Sequence, residues 1–186
     1  IVLEALNIKI NKEIGECLLT GIITDTGGFK YQGVSSETFQ FVAWLMQSGV
    51  NVSNVYKKAL QIKTKSSFEL EKIAMNRLEF LEDGKIAFTY ITKEDEISVN
   101  AETGDHEGIV EKGRDVEGVE VSVFLRQIED KTYKISLRAN EHVNVSDVAM
   151  VFGGGGHVKA AGCKINGTPE QIKTTLVKVI KKHIGI

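Results

Sequence analysis

The sequence predicts an α/β fold in two parts joined by a helical connector, and three observations carry that reading. Val119 to Leu125 and Tyr133 to Arg138 alternate apolar with polar residues, the period of strands that bury one face. Thr168-Pro169-Glu170-Gln171 opens a helix with a cap, a proline at its first position and a glutamine completing the capping box, and Ile172, Leu176, Val179 and Ile180 follow at helical spacing. Ser66 and Glu69 form a capping box before Leu70, Ile73, Ala74, Arg77, Leu78 and Leu81, a long amphipathic pattern that stops at Asp83-Gly84. The expected parts are residues 1–62, a helical connector over 63–83 and a second domain over 84–186.

From the start of the chain, Ile1 to Leu6 reads as a helix ending near Asn7, and Asn11 caps a second one through Leu19. A chain that opens on an uncapped helix is expected to begin inside a longer protein. Gly21-Ile22-Ile23-Thr24, closed by Asp25-Thr26-Gly27-Gly28, has the pattern of a buried strand delivering Asp25 to its carboxyl edge, where open α/β sheets bind ligands. The alternative for Asp25 is a loop cap without chemistry. Ser35 or Ser36 caps the next helix, with Phe39, Val42, Ala43 and Met46 on its buried face, Trp44 in packing and Gly49 at its end. A shorter helix spans Val52 to Leu60.

In the second half, Ile86 to Thr92 is a β-prone run that opens the domain. Asn100 to Arg114 reads as a polar loop and helix, and its Asp105-His106-Glu107 as solvated surface and not a metal site. The two alternating stretches should form a hairpin. Burying Val119, Val121, Val123 and Leu125 with Tyr133, Ile135 and Leu137 demands an odd loop such as Asp130-Lys131-Thr132, and it sets Arg126, Ser136 and Arg138 together on the opposite face. There the arginines either pair with Glu120 or offer guanidinium forks to phosphate. Asn144 caps a helix with Val145, Val148, Ala149 and Phe152 on one side, and a short strand is expected over Cys163 to Ile165.

Composition narrows the function classes. A net charge of −2 excludes bulk basicity as the source of any nucleic-acid affinity, so phosphate binding has to come from local clusters. No apolar stretch approaches membrane-spanning length, and Ile1 is expected to belong to no signal peptide. Cys17 and Cys163 lie in apolar surroundings without metal-ligand spacing, which reads as buried, reduced thiols in a cytoplasmic protein.

The candidate site centres on Phe152-Gly153-Gly154-Gly155-Gly156-His157-Val158-Lys159-Ala160-Ala161-Gly162. Consecutive glycines cost more backbone entropy to order than any other residues. Without Cβ atoms, an anion can reach several backbone N–H groups at once, and a helix starting at Gly156 or His157 would add its positive end. His157 would supply a side-chain donor. The plainer alternative is a glycine-rich turn with an exposed histidine.

The run GGGGHVKAAG resembles the glycine signature of the DHH-associated domain, and Leu19-Thr20-Gly21-Ile22-Ile23-Thr24-Asp25-Thr26-Gly27-Gly28-Phe29 resembles the last metal-site motif of the DHH catalytic domain. Together they resemble the oligoribonuclease and phosphoadenosine-phosphate phosphatase branch of the DHH phosphoesterase family, over essentially the whole chain. The resemblance implies the end of a DHH catalytic domain, a helical connector, and an α/β domain whose mixed sheet is flanked by helices. It implies Asp25 as a ligand of a divalent metal, manganese in the first instance, and Gly153, Gly154, Gly155, Gly156 and His157 as a phosphate seat. Ser136-Leu137-Arg138 matches the Ser-Leu-Arg that this branch carries on the corresponding strand, which places Arg138 ahead of Arg126 as a substrate contact. The implied partner is a short oligonucleotide or nucleotide phosphate, with a homodimer through the catalytic lobe also in view.

One departure matters. No aspartate precedes Asp25, so the Asp-His-His and earlier metal motifs are missing, and a lone carboxylate cannot assemble a two-metal centre. This chain by itself is therefore expected to bind and not to hydrolyse, and not to retain the metal. The competing class is a non-catalytic nucleic-acid-binding module, as in the RNA-contacting domain of alanyl-tRNA synthetases. A pyrophosphatase or exopolyphosphatase relative is a third reading, weakened by the glycine signature.

Overall fold

The structure, a computed structural model, describes residues 10–31 and 33–185. The helix expected over Ile1 to Leu6 lies outside them. The chain divides into two compact units, Ile1–Lys63 and Thr64–Ile186.

The first unit is helical: α1 (Lys12–Asp25), α2 (Ser36–Gln47) and α3 (Val52–Tyr56), the last continuing into a wide π-type turn over Lys57–Gln61. Asn11 caps α1 as expected, its Oδ1 accepting from Ile14 N–H at 2.9 Å. The strand expected at Gly21 to Thr24 is instead the last stretch of α1. Gly15, Leu19 and Ile23 recur every four residues and are all buried, and a Cβ at Gly15 would stand 2.5 Å from Val50 Cγ2. Thr20 and Thr24 donate their hydroxyls to carbonyls one turn back, Glu16 O at 2.7 Å and Thr20 O at 3.0 Å. Four residues of Gly-Ile-Ile-Thr cannot distinguish the two periods; their neighbours settle it. Asp25 consequently ends a helix and is exposed, and Gly27, Gly28 and Phe29 turn the chain through positive φ.

In α2, Val42 and Leu45 face the core with Leu19, Ile23, Val50 and Val55. The expected inward face was offset, since Phe39 and Met46 are more than half exposed at 54% and 55%, and Phe39 stacks on Phe29 at 5.3 Å instead. Ser35, not Ser36, stands at the N-cap, its N–H donating to Thr38 Oγ1 at 3.3 Å. Cys17 points outward and is exposed, contrary to the buried thiol expected there.

The second unit opens with α4 (Lys65–Asn76), capped by Thr64 accepting from Ser67 N–H at 2.9 Å, not by Ser66 and Glu69. The connector stops being helical at Asn76. Glu79–Leu81 forms a strand, β1, antiparallel to β2 (Ile86–Ile91), because Glu82, Asp83 and Gly84 all adopt positive φ and fold the chain back as a hairpin. After β2 come α5 (Lys93–Ser98), α6 (Ile109–Arg114), β3 (Val121–Glu129), β4 (Thr132–Ala139), α7 (Val145–Met150), β5 (Gly155–His157), β6 (Ala160–Asn166) and α8 (Pro169–Ile184).

The strands lie in the order β1-β2-β3-β4-β6-β5, with only β2 and β3 parallel. Such a pair needs a crossover, and α5 and α6 supply it. This is the mixed sheet flanked by helices that the sequence implied. One face meets α7 and α8 in a core of Ile86, Phe88, Val123, Leu125, Ile135, Leu137, Val148, Ile172, Leu176 and Ile180. The other face meets α4 and α6 through Leu70, Ala74, Ile91, Ile109, Val110 and Phe124. Truncating any one of the buried α8 residues to alanine would cost about 2–5 kcal/mol.

The β3–β4 register is as expected, with Val121 opposite Ala139, Val123 opposite Leu137 and Leu125 opposite Ile135. The loop is not. Asp130 and Lys131 make a two-residue turn, and a bulge between Gln127 and Glu129 supplies the odd residue that the burial pattern demands. Among the described residues no helix is long and apolar enough to cross a membrane.

Candidate functional site

Residues directly opposite in a ladder point to the same face, so the register fixes which side chains gather on the sheet. On the face shared with α6, three rows run across the strands. Ser122, Arg138, Ala160 and His157 form the first; Phe124, Ser136, Gly162 and Gly155 the second; Arg126, Lys134 and Lys164 the third. Phe124 and Ser122 are buried at the β3 side, whereas Lys134, Lys164, Gly155 and His157 are exposed and Ser136, Arg138 and Gly162 half-buried. The helical cover ends partway across this face. Arg138, Ser136 and Arg126 thus share a face as expected, and His157 and Gly155 join them through β6.

Neither arginine pairs with Glu120. Arg138 Nε donates to Glu111 Oε1 at 2.9 Å and its Nη1 to Leu137 O at 3.1 Å, which leaves Nη2 unpartnered among the described residues. Arg126 Nε donates to Glu96 Oε1 at 2.6 Å. Glu120 is occupied elsewhere, accepting from the N–H groups of His142 at 2.7 Å and Val143 at 2.8 Å. Burial would raise its carboxyl, and the amides of Val143, His142 and Glu141 outweigh that and hold it below the usual range. Each arginine is therefore aimed by one carboxylate from the crossover while keeping donors for a ligand. Ser136 Oγ and the His157 ring have no hydrogen-bond partner among the described residues.

The glycine run is built differently from the expectation of an anion nest at a helix start. Gly153, at φ 71°, follows α7, and its N–H donates to Met150 O at 3.0 Å while Gly154 N–H donates to Ala149 O at 2.9 Å. That is a Schellman end, so these two amides close a helix and are not open to an anion. Gly155 to His157 then continue as the extended edge strand β5 and start no helix. A Cβ at Gly154 would collide with Gly162 O, and one at Gly156 would stand 2.5 Å from Ala160 O. These glycines let β5 lie tight on β6. At Gly153 and Gly155 a Cβ would meet nothing within 4 Å, but Gly153 sits at positive φ, and Gly155 alone of the run has neither a steric nor a φ reason to lack a side chain. Ser146 Oγ donates to Gly156 O at 3.1 Å and Val145 N–H to Val158 O at 2.9 Å, fastening the hairpin to the start of α7.

Asp105 and His106 are not the solvated surface expected. Asp105 is buried and accepts from Thr64 Oγ1 at 2.8 Å, Ser66 Oγ at 2.7 Å and Glu102 N–H at 2.8 Å, locking the start of α4 to the crossover. Half-buried His106 lies within electrostatic reach of Arg126, Glu96 and Lys134; burial first, then Arg126, holds its pKa below the ordinary value. Around Asp25 the fit to a metal centre is poor, because among the described residues no group of three or more His, Cys, Asp or Glu could share an ion.

Sequence reasoning missed Lys134, Lys164, Glu96 and Glu111. Lys134 was within reach, since it lies two residues before Ser136 on one alternating strand. Lys164 needed the β4–β6 register, and the two glutamates needed the tertiary path of the crossover. A shallow cavity of ≈ 400 Å³ opens at this edge, lined by Lys134, Lys164, Phe152, Gly153–Gly155, Gly162 and Cys163.

Comparison with known proteins agrees with this architecture. The bifunctional oligoribonuclease and PAP phosphatase NrnA of Thermus thermophilus is 32% identical over 165 residues, which are 89% of this chain and 49% of that protein. The A-adding tRNA nucleotidyltransferase of Aquifex aeolicus is 25% identical over 94% of this chain and 21% of its own length. The chain thus spans about half the length of the first of these relatives and a fifth of the second. An exopolyphosphatase-related protein from Bacteroides fragilis superposes with a TM-score of 0.82 at 31% identity, covering 95% of this chain and 51% of that one. A family model described as the DHHA1 domain matches residues 83–185, more than half of the sequence, and the chain belongs to that family.

Proposed function

We propose that the chain is part of a metal-dependent phosphoesterase acting on short oligonucleotides, phosphoadenosine phosphate or both, and that its second unit grips the phosphates. One observation carries the reading. The uncovered end of the sheet assembles Arg138, Ser136, His157 and a sterically open Gly155 on one face, three donors around a floor without side chains. Arg138, steadied by Glu111, offers its Nη2 to a phosphate oxygen, Ser136 and His157 add donors, and Gly155 allows the ligand to approach the main chain.

Asp25 is the ligand this chain would contribute to a divalent metal, manganese by the family pattern; bound metals of this kind activate water and stabilise developing charge. The described residues do not complete such a centre, and the proposed role of this chain is recognition. Fluorescence anisotropy with a 5′-phosphorylated dinucleotide tests it. Arg138→Ala and His157→Ala should each raise Kd about tenfold or more, the worth of a hydrogen bond to a charged group. Unchanged affinity in both would remove the recognition role. Manganese added to the same mixture should yield no product, and steady turnover would refute the incomplete centre.

The similarity to an A-adding tRNA nucleotidyltransferase over nearly the whole chain favours a second reading, a nucleic-acid-binding module that serves other chemistry. A tRNA acceptor hairpin separates the two: under the first reading the dinucleotide competes with it, and under the second the hairpin wins by a wide margin.

A further inference from the structure

The third row of the sheet carries more positive charge than the fold can use. Arg126, Lys134 and Lys164 stand directly opposite one another across β3, β4 and β6, and only Arg126 has a carboxylate, Glu96. Lys134 and Lys164 are exposed, and neither has a hydrogen-bond or ion-pair partner among the described residues. Like charges directly opposite in a ladder repel and destabilise the pair. Half-buried His106, within electrostatic reach of Arg126 and Lys134, adds no compensating charge. The ≈ 400 Å³ cavity opens between these lysines and Gly155.

We infer that this row is a second phosphate subsite, one that selects longer single-stranded oligonucleotides over those with a single nucleotide step. The inference rests on the proposed phosphate grip at Arg138 and His157. Geometry orders the contacts along β4: Arg138, Ser136 and Lys134 are alternate residues, so the rows are about 7 Å apart and the outer two about 14 Å. That outer span exceeds the separation of the 3′ and 5′ phosphates on one sugar. A strand laid along β4 with one phosphate at Arg138 and the next over the glycine floor brings a further phosphate between Lys134 and Lys164. An anion there relieves the repulsion.

The test uses the chain with a 5′-phosphorylated oligoadenylate dinucleotide and tetranucleotide, read by anisotropy across a salt series. The wild type should bind the tetranucleotide more tightly. Lys134→Glu turns a repelling pair into an attracting one, so it should raise Tm by about 1–4 °C. It should nonetheless weaken the tetranucleotide about tenfold or more, lower its salt slope by about 0.7 or more, and leave the dinucleotide within twofold or so. A lysine that matters only to the fold would not show opposite signs in stability and affinity. Should Lys134→Glu fail to fold, Lys164→Glu makes the same pair in the reverse sense and is read in its place. Equal tetranucleotide binding by wild type and variant overturns the subsite and leaves the Arg138 grip standing. Loss of both probes' sensitivity to Arg138→Ala, or no binding of either probe by the wild type, overturns the grip and the subsite with it. Inorganic phosphate that displaces both probes equally, with no advantage of length, assigns the row to a free anion and also overturns the inference.

Discussion

Two neighbouring glycines make opposite predictions, and the pair isolates the ligand from the fold. At Gly155 a Cβ would meet nothing within 4 Å, and its φ lies outside the left-handed region. Gly155→Ala should therefore stabilise the second unit by about 0.4–1 kcal/mol, because the unfolded chain loses freedom and the folded one loses nothing. That corresponds to a rise in Tm of about 1–4 °C. At Gly156 the φ is 151° and a Cβ would stand 2.5 Å from Ala160 O and 2.6 Å from Ala161 Cα. Gly156→Ala should cost about 1–3 kcal/mol and lower Tm by about 2–12 °C.

Binding should run the other way for Gly155→Ala. Its methyl projects beside Gly162 into the middle row, where the proposed ligand lies closest to the backbone, and overfilling that space costs about 1–3 kcal/mol, a fivefold to 150-fold or so rise in Kd. Thermal melts followed by near-UV circular dichroism and titration calorimetry with the dinucleotide give both numbers on one preparation. A more stable variant that binds as well as wild type would refute the reasoning, since Gly155 would then have neither a packing nor a ligand reason to lack a side chain.

Asp105→Asn should destabilise the second unit and flatten its acid limb. The bonds from Ser66, Glu102 N–H and Thr64 hold the Asp105 pKa below its ordinary value, so its contribution is complete above about pH 4 and is lost as pH falls through the lowered value; urea titrations from neutral pH down to about pH 2 check this. Asp95→Ala should cost about 2–3 kcal/mol in urea denaturation, because Asp95 both closes the α5 capping box with Thr92 and pairs in a fork with Arg77, whose Nη2 lies 2.9 Å from Oδ1. A disulfide-exchange reagent should titrate exposed Cys17 rapidly and reach Cys163 only on unfolding, since burial pushes the Cys163 thiol up to about 11; two equal fast phases would contradict the buried position.

The parts of the fold legible in the sequence are those where one period runs long enough to exclude the other. β3 and β4 alternate for many residues, so both register and face followed, even though the loop between them was drawn wrongly; burial fixed the parity, and a bulge satisfied it where a longer turn had been expected. α8 carried a cap, a proline and a hydrophobic stripe that all agreed. The failures lie where a short apolar run bordered a turn signal of double meaning. Asp83-Gly84 ends a helix or closes a hairpin with equal ease, and the Leu78 and Leu81 spacing extended the helix past the residue where it stops. Gly21 to Thr24 has β-branched residues but belongs to a helix, because Leu19 and Ile23 align only at a spacing of four.

For the candidate site, the shared face of Arg138, Ser136 and Arg126 was legible and the reasons for the glycines were not. The sequence leaves the glycine run open between a set of free amides and a plain turn; two of its N–H groups close α7 and two of its missing Cβ atoms make room for β6, so packing accounts for most of the run. A sequence gives no separate mark to a glycine needed for φ, for close approach or for a ligand. Only the register does so, by showing that Gly155 faces open space in the row of Ser136 while its neighbours do not. The same register turns Lys134 and Lys164, unremarkable in the chain and thirty residues apart, into adjacent cations without a partner among the described residues. Packing requirements hide inside a motif, and binding surplus shows where packing leaves a residue unexplained; on this sheet Gly155, Lys134 and Lys164 are those residues, and they surround one cavity.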